Sequence, residues 1–376
     1  MACGRMRVAL VVPHIFVNDG VRERVIFSPG ELAIDLAQGL EEKGVDVTLC
    51  TPGVVECGVK NATADMSGFE KELEGRGYGY LELLKKHSMV FVGMARQVQA
   101  ELISDVYQRA NAGEFDLVHI YTNEEDIALQ FAGLCEKPVV FTHHDPFNFL
   151  IKYKSVFARY QHLNYISMSL AQRRTAPEEM NWVGNVYHGV DLDKYEFSEE
   201  SGDYFAYLGR IIEPKGVHLA VEAAKKTGVK LKIAGKHYGG TADDYWTRAI
   251  EPELGESVEY VGYLRGEEKL EFLRRAKALV VPSVFDEPFG IVTIEALACG
   301  VPVIGSSAGA TPEIVEDGVS GLIASTAKEI AEVMGRVGEI DRRTCRRRVE
   351  EKFTLERMVA GHVEVYEKVV ARTELC

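Results

Sequence analysis

Strand-length apolar segments alternate with segments of helical periodicity along both halves of this chain of 376 residues. The first strand is predicted over 7–12, and Leu32, Leu36 and Leu40 then recur at a spacing of four, which is typical of one face of a helix. Alternating apolar residues over 45–49 predict the second strand. Strands joined through a helix pair in parallel, so this order constrains the chain to layered α/β folds with parallel sheets.

The same alternation predicts two doubly wound sheets, one in each half of the chain. An acidic, polar stretch over 196–203 is interpreted as the linker between them. We therefore predict domains over 1–195 and 203–353, followed by an amphipathic terminal helix within 354–376. Further strands are expected in the first half at 117–121, 139–142, 165–169 and 183–187, and in the second half at 204–209, 231–235, 258–263, 278–283, 302–305 and 322–324. A loop or insertion is expected over 58–79, and mostly helix over 80–112.

Composition argues against several classes of protein. The formal net charge of −14 disfavours a general nucleic-acid binder, which usually carries a basic surface. No apolar run reaches the roughly 18 residues that a membrane-spanning helix requires. The seven cysteines are odd in number and contain no CxxC pair, so we expect neither a metal site nor a disulfide framework, and a cytoplasmic location.

Two cations follow the predicted strand at 204–209. Arg210 and Lys215 lie in the loop GRIIEPKG, residues 209–216, between glycines that allow a ligand to approach the backbone. A forked guanidinium and a compact ammonium together suit a diphosphate. The plainer alternative is a turn with two surface cations.

Two carboxylates flank the start of the helix that follows the strand at 278–283. Glu287 precedes the helix start, which is expected near residues 288–290, and Glu295 lies about one turn inside it. Free amide hydrogens at a helix start bind ligands, and Gly290 leaves them open to approach. Because two carboxylates would repel an anion, we expect them to bind neutral hydroxyls. A cation held by Asp286 and Glu287 is disfavoured, since nothing supplies the rest of its coordination shell.

Three other loops are weaker candidates. The small residues of 305–313 suit a phosphate or sugar, and an ordinary strand–helix turn explains them equally well. His143 and His144 follow the strand at 139–142, where a histidine can donate to a substrate hydroxyl or be structural. Residues 28–31 are predicted as the loop before the first long helix, with Gly30 permitting close approach.

The strings GRIIEPKG and EPFGIVTIEALACGVPVIGSSAGATPEIVEDGVSGLIA resemble the family 4 glycosyltransferases, which are retaining enzymes of GT-B fold. The resemblance extends over nearly the whole chain. It implies an α/β protein of two Rossmann-like domains with an interdomain cleft, whose last helix crosses back onto the amino-terminal, acceptor-side domain. It also implies a hexosyltransferase-type enzyme (EC class 2.4) that moves a sugar from a nucleoside-diphosphate sugar to an acceptor hydroxyl.

The resemblance implies roles for individual residues. Arg210 and Lys215 would hold the donor diphosphate, and Glu295 the nucleotide ribose. Glu287 would contact hydroxyls of the transferred sugar. His144, with His143 as the fallback, would lie near the anomeric carbon. The remaining donor-binding positions, which would act through backbone amides or close approach, are Gly30, Phe289, Gly290 and Ile291. At 29, proline replaces the first glycine of the family's Gly-Gly loop.

Catalysis is expected without metal or other cofactor, because Arg210 and Lys215 would neutralise the charge that develops on the departing diphosphate. No enzymic nucleophile is evident, so retention is expected by same-face attack. A non-catalytic nucleotide-sugar-binding protein and another GT-B enzyme, such as a sugar epimerase, are kept as alternatives. A nicotinamide oxidoreductase is rejected, because the first strand is followed by Pro13 and His14 and not by G-x-G-x-x-G.

Two groups of basic residues lie outside these loops. Peripheral contact with the inner face of a membrane is weighed for a set of first-domain cations among apolar residues, namely Lys85, Lys86, Arg96, Lys152, Lys154 and Arg159. The arginines within 342–348 are interpreted as a solvated helix face, in preference to a lipid or phosphate site. The sequence predicts no oligomeric state.

Overall fold

The computed structural model of the protein describes residues 5–25, 27–237 and 244–374. The chain divides into two units, each of which is built around its own sheet. Unit 1 comprises 1–168, 176–186 and 358–376, and unit 2 comprises 169–175 and 187–357. The predicted domain bounds differ from this division, which assigns 169–175, 187–195 and 354–357 to unit 2. Cys3 and Cys376 lie outside the described residues, and the five described cysteines are free thiols.

Unit 1 contains a parallel sheet of order β3-β2-β1-β4-β5-β6-β7 within its described residues. The strands are β1 Arg7–Val11, β2 Asp46–Thr51, β3 Lys60–Thr63, β4 Leu117–Tyr121, β5 Val139–Thr142, β6 Asn164–Ser167 and β7 Trp182–Asn185. The helices are α1 Ser28–Glu42, α2 Ser67–Arg76, α3 Tyr80–Lys86, α4 Ser88–Asn111, α5 Asp126–Phe131 and α6 Ile151–Tyr160.

Unit 2 contains a parallel sheet of order β10-β9-β8-β11-β12-β13 in the part of it that is described. The strands are β8 Tyr204–Leu208, β9 Lys230–Ala234, β10 Val258–Gly262, β11 Ala276–Val281, β12 Val303–Gly305 and β13 Gly321–Ile323. The helices are α7 Leu170–Arg173, α8 Val217–Thr227, α9 Tyr245–Ala249, α10 Gly266–Arg274, α11 Ile291–Ala298, α12 Thr311–Ile314, α13 Ala327–Met334 and α14 Arg342–Lys352. A last helix, α15 Leu355–Glu374, ends the chain.

The predicted pair of doubly wound parallel sheets is confirmed, and most predicted strands lie within two residues of the observed ones. The prediction of a loop over 58–79 was wrong, because β3 and α2 lie there. β3 is a polar edge strand that pairs only with β2, so it lacks the apolar alternation of a buried strand. The prediction of a loop over 28–31 was also wrong: α1 begins at Ser28, with Pro29 in its first turn.

In each sheet the strand order reverses direction at one point, between β1 and β4 in unit 1 and between β8 and β11 in unit 2. Helices that follow the two strands at such a point leave the sheet on opposite faces, and the loops between them form a crevice. The loops after β8 and β11 therefore meet at the carboxyl edge of the second sheet. They contain Arg210, Lys215 and Glu287.

The terminal helix is anchored within unit 1 by buried contacts. Val359 fills the space over Gly39 of α1, where an added Cβ would lie 2.4 Å from the valine Cγ2. Tyr366 is fully buried, and its hydroxyl lies 2.7 Å from Nδ1 of His119 on β4. The other ring nitrogen of His119 lies 2.8 Å from the Thr142 hydroxyl. The apolar stripe of this helix thus packs on α1 and on the central strands of unit 1.

The prediction that the arginines of α14 form a solvated face was wrong for three of the five, because only Arg343 and Arg347 are exposed. Arg342 is buried and donates to three backbone carbonyls, of Ser198, Arg274 and Ala276, at 2.7–3.1 Å. Arg346 and Arg348 likewise donate to backbone carbonyls of unit 2. These guanidinium groups join strand and helix ends across unit 2, a role that the five donors of arginine allow. No helix in the described ranges has the length and apolarity needed to span a bilayer.

Candidate functional site

The loops after β8 and β11 are joined through their backbones. The Val284 amide donates to the Pro214 carbonyl at 2.9 Å. Gly216 has φ +68°, and a Cβ there would lie 2.0 Å from the Pro282 carbonyl oxygen. Only glycine is compatible with both the left-handed backbone and this close approach. The contact holds the loop with Arg210 and Lys215 beside the loop with Glu287.

Lys215 and Glu287 form an ion pair within this crevice, with the Lys215 ammonium donating to Glu287 Oε1. The Ser283 hydroxyl donates to Oε2 at 2.9 Å. Burial by itself would raise the pKa of Glu287, but Lys215, Ser283 and the charge of Arg210 together hold that pKa below its usual value. Glu287 is therefore ionised at neutral pH, and both of its oxygens accept hydrogen bonds.

Arg210 is exposed near the start of the loop that follows β8. Its carbonyl accepts a hydrogen bond from the Tyr207 hydroxyl at 2.8 Å, which fixes the backbone while the guanidinium faces solvent. The crevice thus combines an exposed guanidinium, a largely buried ammonium and an ionised carboxylate.

Helix α11 begins at the crevice with Gly290 as its cap, at φ +85°. Phe289 is buried against the rings of Tyr187, His188 and Phe353, with centroid separations of 4.9–6.1 Å. The Phe289 side chain therefore anchors the loop, so Phe289 can meet a ligand only through its backbone. The first amides of a helix carry partial positive charge and attract electron-rich groups.

Glu295 lies further along α11 and is largely buried. Its Oε1 accepts from the Tyr195 hydroxyl at 2.8 Å and from the Lys269 ammonium at 2.7 Å. Sequence reasoning missed Tyr195 and Lys269, which come from a segment before β8 and from α10. No spacing in the sequence links them to Glu295.

The loop 305–313 shapes the Glu287 loop. Gly309 has φ +60°, and a Cβ there would lie 2.3 Å from the Glu287 carbonyl oxygen. The Ala310 amide donates to that carbonyl at 2.9 Å, and the Gly309 amide donates to Asp286 Oδ1 at 3.2 Å. Glu313 accepts from the amides of 170 and 171 at the start of α7. Of the two alternatives for this loop, the contacts favour the structural one.

The two histidines after β5, in unit 1, have different surroundings. His143 is buried among Phe147, Tyr153 and Phe157, and its Nδ1 lies 2.7 Å from Glu125 Oε1. His144 is partly exposed at the end of the strand, with its amide donating to Asn123 Oδ1 at 2.9 Å. Of the two, His144 is the more exposed, although its Nε2 is buried. Its role in catalysis stays a prediction.

Gly30 lies buried in the first turn of α1. A Cβ there would lie 3.1 Å from both Phe27 Cδ1 and Val17 Cγ2. This close packing by itself explains why a glycine occupies position 30. Contact between Gly30 and a donor stays a prediction.

A polar cluster that the sequence analysis missed lies where the strand order of unit 1 reverses. His14 follows β1, and its Nε2 lies 3.7 Å from Glu124 Oε1, which follows β4. Gln99 of α4 donates to the other oxygen of Glu124. Burial lowers the pKa of His14 to about 4, and burial raises the pKa of Glu124 to about 7. The proximity of His14 and Glu124 could be recognised only once β1 and β4 were known to be neighbours in the sheet.

Several of the basic residues considered for membrane contact are neutralised by acids of unit 1. Arg96 and Lys152 both approach Asp126 Oδ2, at 3.7 and 3.0 Å, and Lys86 pairs with Glu82 at 3.2 Å. Peripheral membrane contact stays a prediction. Across the described part of the chain, no three His, Cys, Asp or Glu side chains gather as metal ligands.

Each unit is a Rossmann-like parallel sheet, which is the architecture of GT-B proteins. Residues 191–351 match the model of a protein family described as glycosyl transferases group 1. This segment contains Arg210, Lys215, Glu287 and Glu295.

Curated relatives match along about half of their length. A glycogen synthase of Mycobacterium tuberculosis is 30% identical over 199 residues, which cover 48% of this chain and 47% of that protein. A D-inositol 3-phosphate glycosyltransferase of Mycolicibacterium smegmatis is 35% identical over 174 residues, 40% of this chain and 39% of that protein. The chain thus spans about half the length of the curated relatives it matches or less.

Solved structures share the fold over nearly the whole chain. A sucrose-phosphate synthase from Thermosynechococcus elongatus superposes with a TM-score of 0.75 at 19% identity, covering 98% of this chain and all of that one. Anabaena HepE in complex with UDP and glucose superposes with a TM-score of 0.69 at 17% identity, covering 97% and 100%. At these identities the likeness is one of fold.

Proposed function

We propose that this protein is a retaining glycosyltransferase that moves a sugar from a nucleoside-diphosphate sugar to an acceptor hydroxyl, without a metal ion. The observation that carries the proposal is the grouping of Arg210, Lys215 and ionised Glu287 at the start of α11, in the crevice of the unit 2 sheet. The match of residues 191–351 to the glycosyl transferases group 1 supports the same reaction class.

Different parts of the donor would bind to groups of opposite charge: the diphosphate to cations and amides, and the hydroxyls to carboxylates. The diphosphate would meet Arg210, Lys215 and the amides at the start of α11, all of which favour negative charge. The ribose hydroxyls would donate to Glu295, whose Oε1 is held by Tyr195 and Lys269. The hydroxyls of the transferred sugar would donate to Glu287. An anionic sugar is disfavoured there by the carboxylate.

Rate enhancement in this proposal comes from charge stabilisation. As the glycosidic bond to the phosphate breaks, an electron pair leaves with the diphosphate, and negative charge grows on its oxygens. Cations and helix amides that are already in position stabilise that charge without reorganisation. The acceptor hydroxyl would attack the same face of the sugar and pass its proton to a phosphate oxygen, which retains the anomeric configuration.

The test has a binding arm and a turnover arm. We expect thermal-shift titration with UDP, GDP and ADP to raise the melting temperature with at least one of them, since a ligand selective for the native state stabilises it. We then expect the matching sugar donor, incubated with a panel of hydroxyl acceptors in EDTA, to give a glycoside whose anomeric proton in NMR matches that of the donor.

Each negative result has a defined meaning. Binding without transfer to any acceptor and without slow donor hydrolysis would favour the non-catalytic nucleotide-sugar-binding alternative. Turnover of the donor to an isomeric sugar, with no acceptor consumed, would favour the epimerase alternative. An inverted product or abolition by EDTA would contradict retention or metal independence respectively.

A further inference from the structure

Thr293, in the first turn of α11, carries a buried hydroxyl that the fold does not use. The side chain is 1% exposed, and its Oγ1 has no hydrogen-bond partner among the residues that the structure describes. A threonine within a helix can bond the carbonyl four residues earlier, and buried hydroxyls are almost always paired. An unpaired hydroxyl at this position therefore needs an explanation.

Thr293 and Glu287 both lie next to the position where Gly290 lacks a Cβ. A Cβ built on Gly290 would lie 3.5 Å from Thr293 Oγ1, 3.5 Å from Glu287 Cδ and 3.7 Å from Glu287 Oε1. Thr293 Oγ1 and the Glu287 carboxylate therefore face the same point beside Gly290. Because Gly290 has φ +85°, a larger residue is disfavoured at this position, and no Cβ comes between the two side chains.

The chemistry around this point selects an alcohol. Glu287 is an ionised acceptor whose two oxygens already receive Lys215 and Ser283, and a carboxylate oxygen has a second lone pair for a further donor. The Thr293 hydroxyl can donate in return. A phosphate would be repelled by the carboxylate, and an apolar group would leave Thr293 unpaired.

We propose that Thr293 is a specificity-determining residue, whose hydroxyl and the Glu287 carboxylate together bind one hydroxyl of the sugar carried by the donor. The inference rests on the proposed function and deepens it, because it names a second side chain that reads the sugar. The sugar hydroxyl would donate to Glu287 and accept from Thr293, so a donor that lacks this hydroxyl would lose both contacts.

Two substitutions of Thr293 separate the hydroxyl from the shape of the side chain. T293V keeps the branched volume and removes the oxygen, whereas T293S keeps the oxygen. The matched control is T122V, because Thr122 is also fully buried, and its Oγ1 likewise has no hydrogen-bond partner within the described ranges, but it lies in unit 1. Affinities for UDP and for UDP-glucose are measured by calorimetry for the four proteins, or for the GDP or ADP pair if the wild type binds that base.

We expect wild type, T293S and T122V to gain affinity when glucose is added to UDP, and T293V to lose roughly two- to tenfold of that gain while binding UDP itself unchanged. The melting temperature of unliganded T293V should equal or exceed that of the wild type, because no internal hydrogen bond is lost.

The results that overturn the inference differ from those that overturn the proposed function. If the wild type distinguishes UDP-glucose from UDP and T293V does so equally well, Thr293 does not read the sugar and the transferase proposal stands. A lower melting temperature for unliganded T293V would show that the hydroxyl serves the fold, and it also overturns the inference. If the wild type binds none of the nucleotides, the proposed function fails and the inference fails with it.

Discussion

Lys215 and Glu287 are 72 residues apart in the chain, and they form an ion pair because their loops follow the neighbouring strands β8 and β11. Their side chains are 15% and 13% exposed. The pair links the cation expected to bind a diphosphate to the carboxylate expected to bind a sugar. The charge state and position of each residue therefore depend on the other.

Replacing Lys215 with methionine should lower the free energy of unfolding by about 2 kcal/mol, because Glu287 would be left partly buried without its counter-ion. The double variant K215M/E287Q should recover most of this loss, since no uncompensated charge remains, but it should not recover sugar-nucleotide binding. Urea denaturation measures the first effect and calorimetry the second. The exposed pair of Lys225 and Glu253 supplies the control, and K225M should cost well under about 1 kcal/mol. Equal losses for K215M and K225M would contradict this account.

Replacing Gly290 with alanine should affect both stability and binding. The left-handed backbone penalises a Cβ by about 1 kcal/mol, and the methyl group would occupy the space between Thr293 and Glu287. Gly228 has a similar φ of +70° with nothing within 4 Å of an added Cβ, so G228A carries the same strain without blocking a site. We expect similar urea midpoints for the two variants and weakened UDP-sugar binding for G290A alone. Wild-type affinity in G290A would exclude the space over Gly290 as a ligand site.

Replacing Arg342 with lysine should destabilise unit 2 even though the charge is kept. Lysine cannot present the forked donors that reach the carbonyls of Ser198, Arg274 and Ala276, and each buried carbonyl left unpaired is costly. We expect a loss of about 2 kcal/mol in the free energy of unfolding. Arg347 lies exposed on the same helix, so R347K should be neutral in the same denaturation experiment. An unchanged free energy of unfolding for R342K would contradict this account and would favour the solvated helix face that the sequence predicts.

Acidification should destabilise the protein partly through His362. Burial lowers the pKa of His362 to about 4, against an ordinary value of 6.5, so the native state keeps it neutral while the unfolded state takes up a proton. The contribution of His362 to stability is therefore complete above pH 6.5 and declines as the pH falls towards 4, by about 3 kcal/mol at most.

The measurement is the difference between wild type and H362Q in urea denaturation from pH 8 to pH 4. Other groups of unit 1 also titrate in this range, and Glu124 acts with the opposite sign because its pKa is raised. Subtracting the two curves removes their contributions. We expect H362Q to lose less stability on acidification, and parallel curves would show that His362 does not stay neutral in the native state.

Periodicity was sufficient for the buried strands and long helices, since strands covered on both faces appear as short apolar runs. It failed for β3, which lies at the edge of its sheet with partly exposed, polar residues. It also failed for the start of α1, where Pro29 and Gly30 were interpreted as a loop although proline is common in the first turn of a helix.

The sequence by itself determined the order of strands and helices and the position of Arg210, Lys215, Glu287 and Glu295 after or near strand ends. These are local properties, because they depend on neighbours a few positions away along the chain. Only the tertiary structure decided that Lys215 neutralises Glu287, that Tyr195 and Lys269 hold Glu295, and that Arg342 binds carbonyls instead of water. Charge compensation and hydrogen bonding act over a few ångströms, and in this fold the partners are brought within that distance from 26 to 144 positions away.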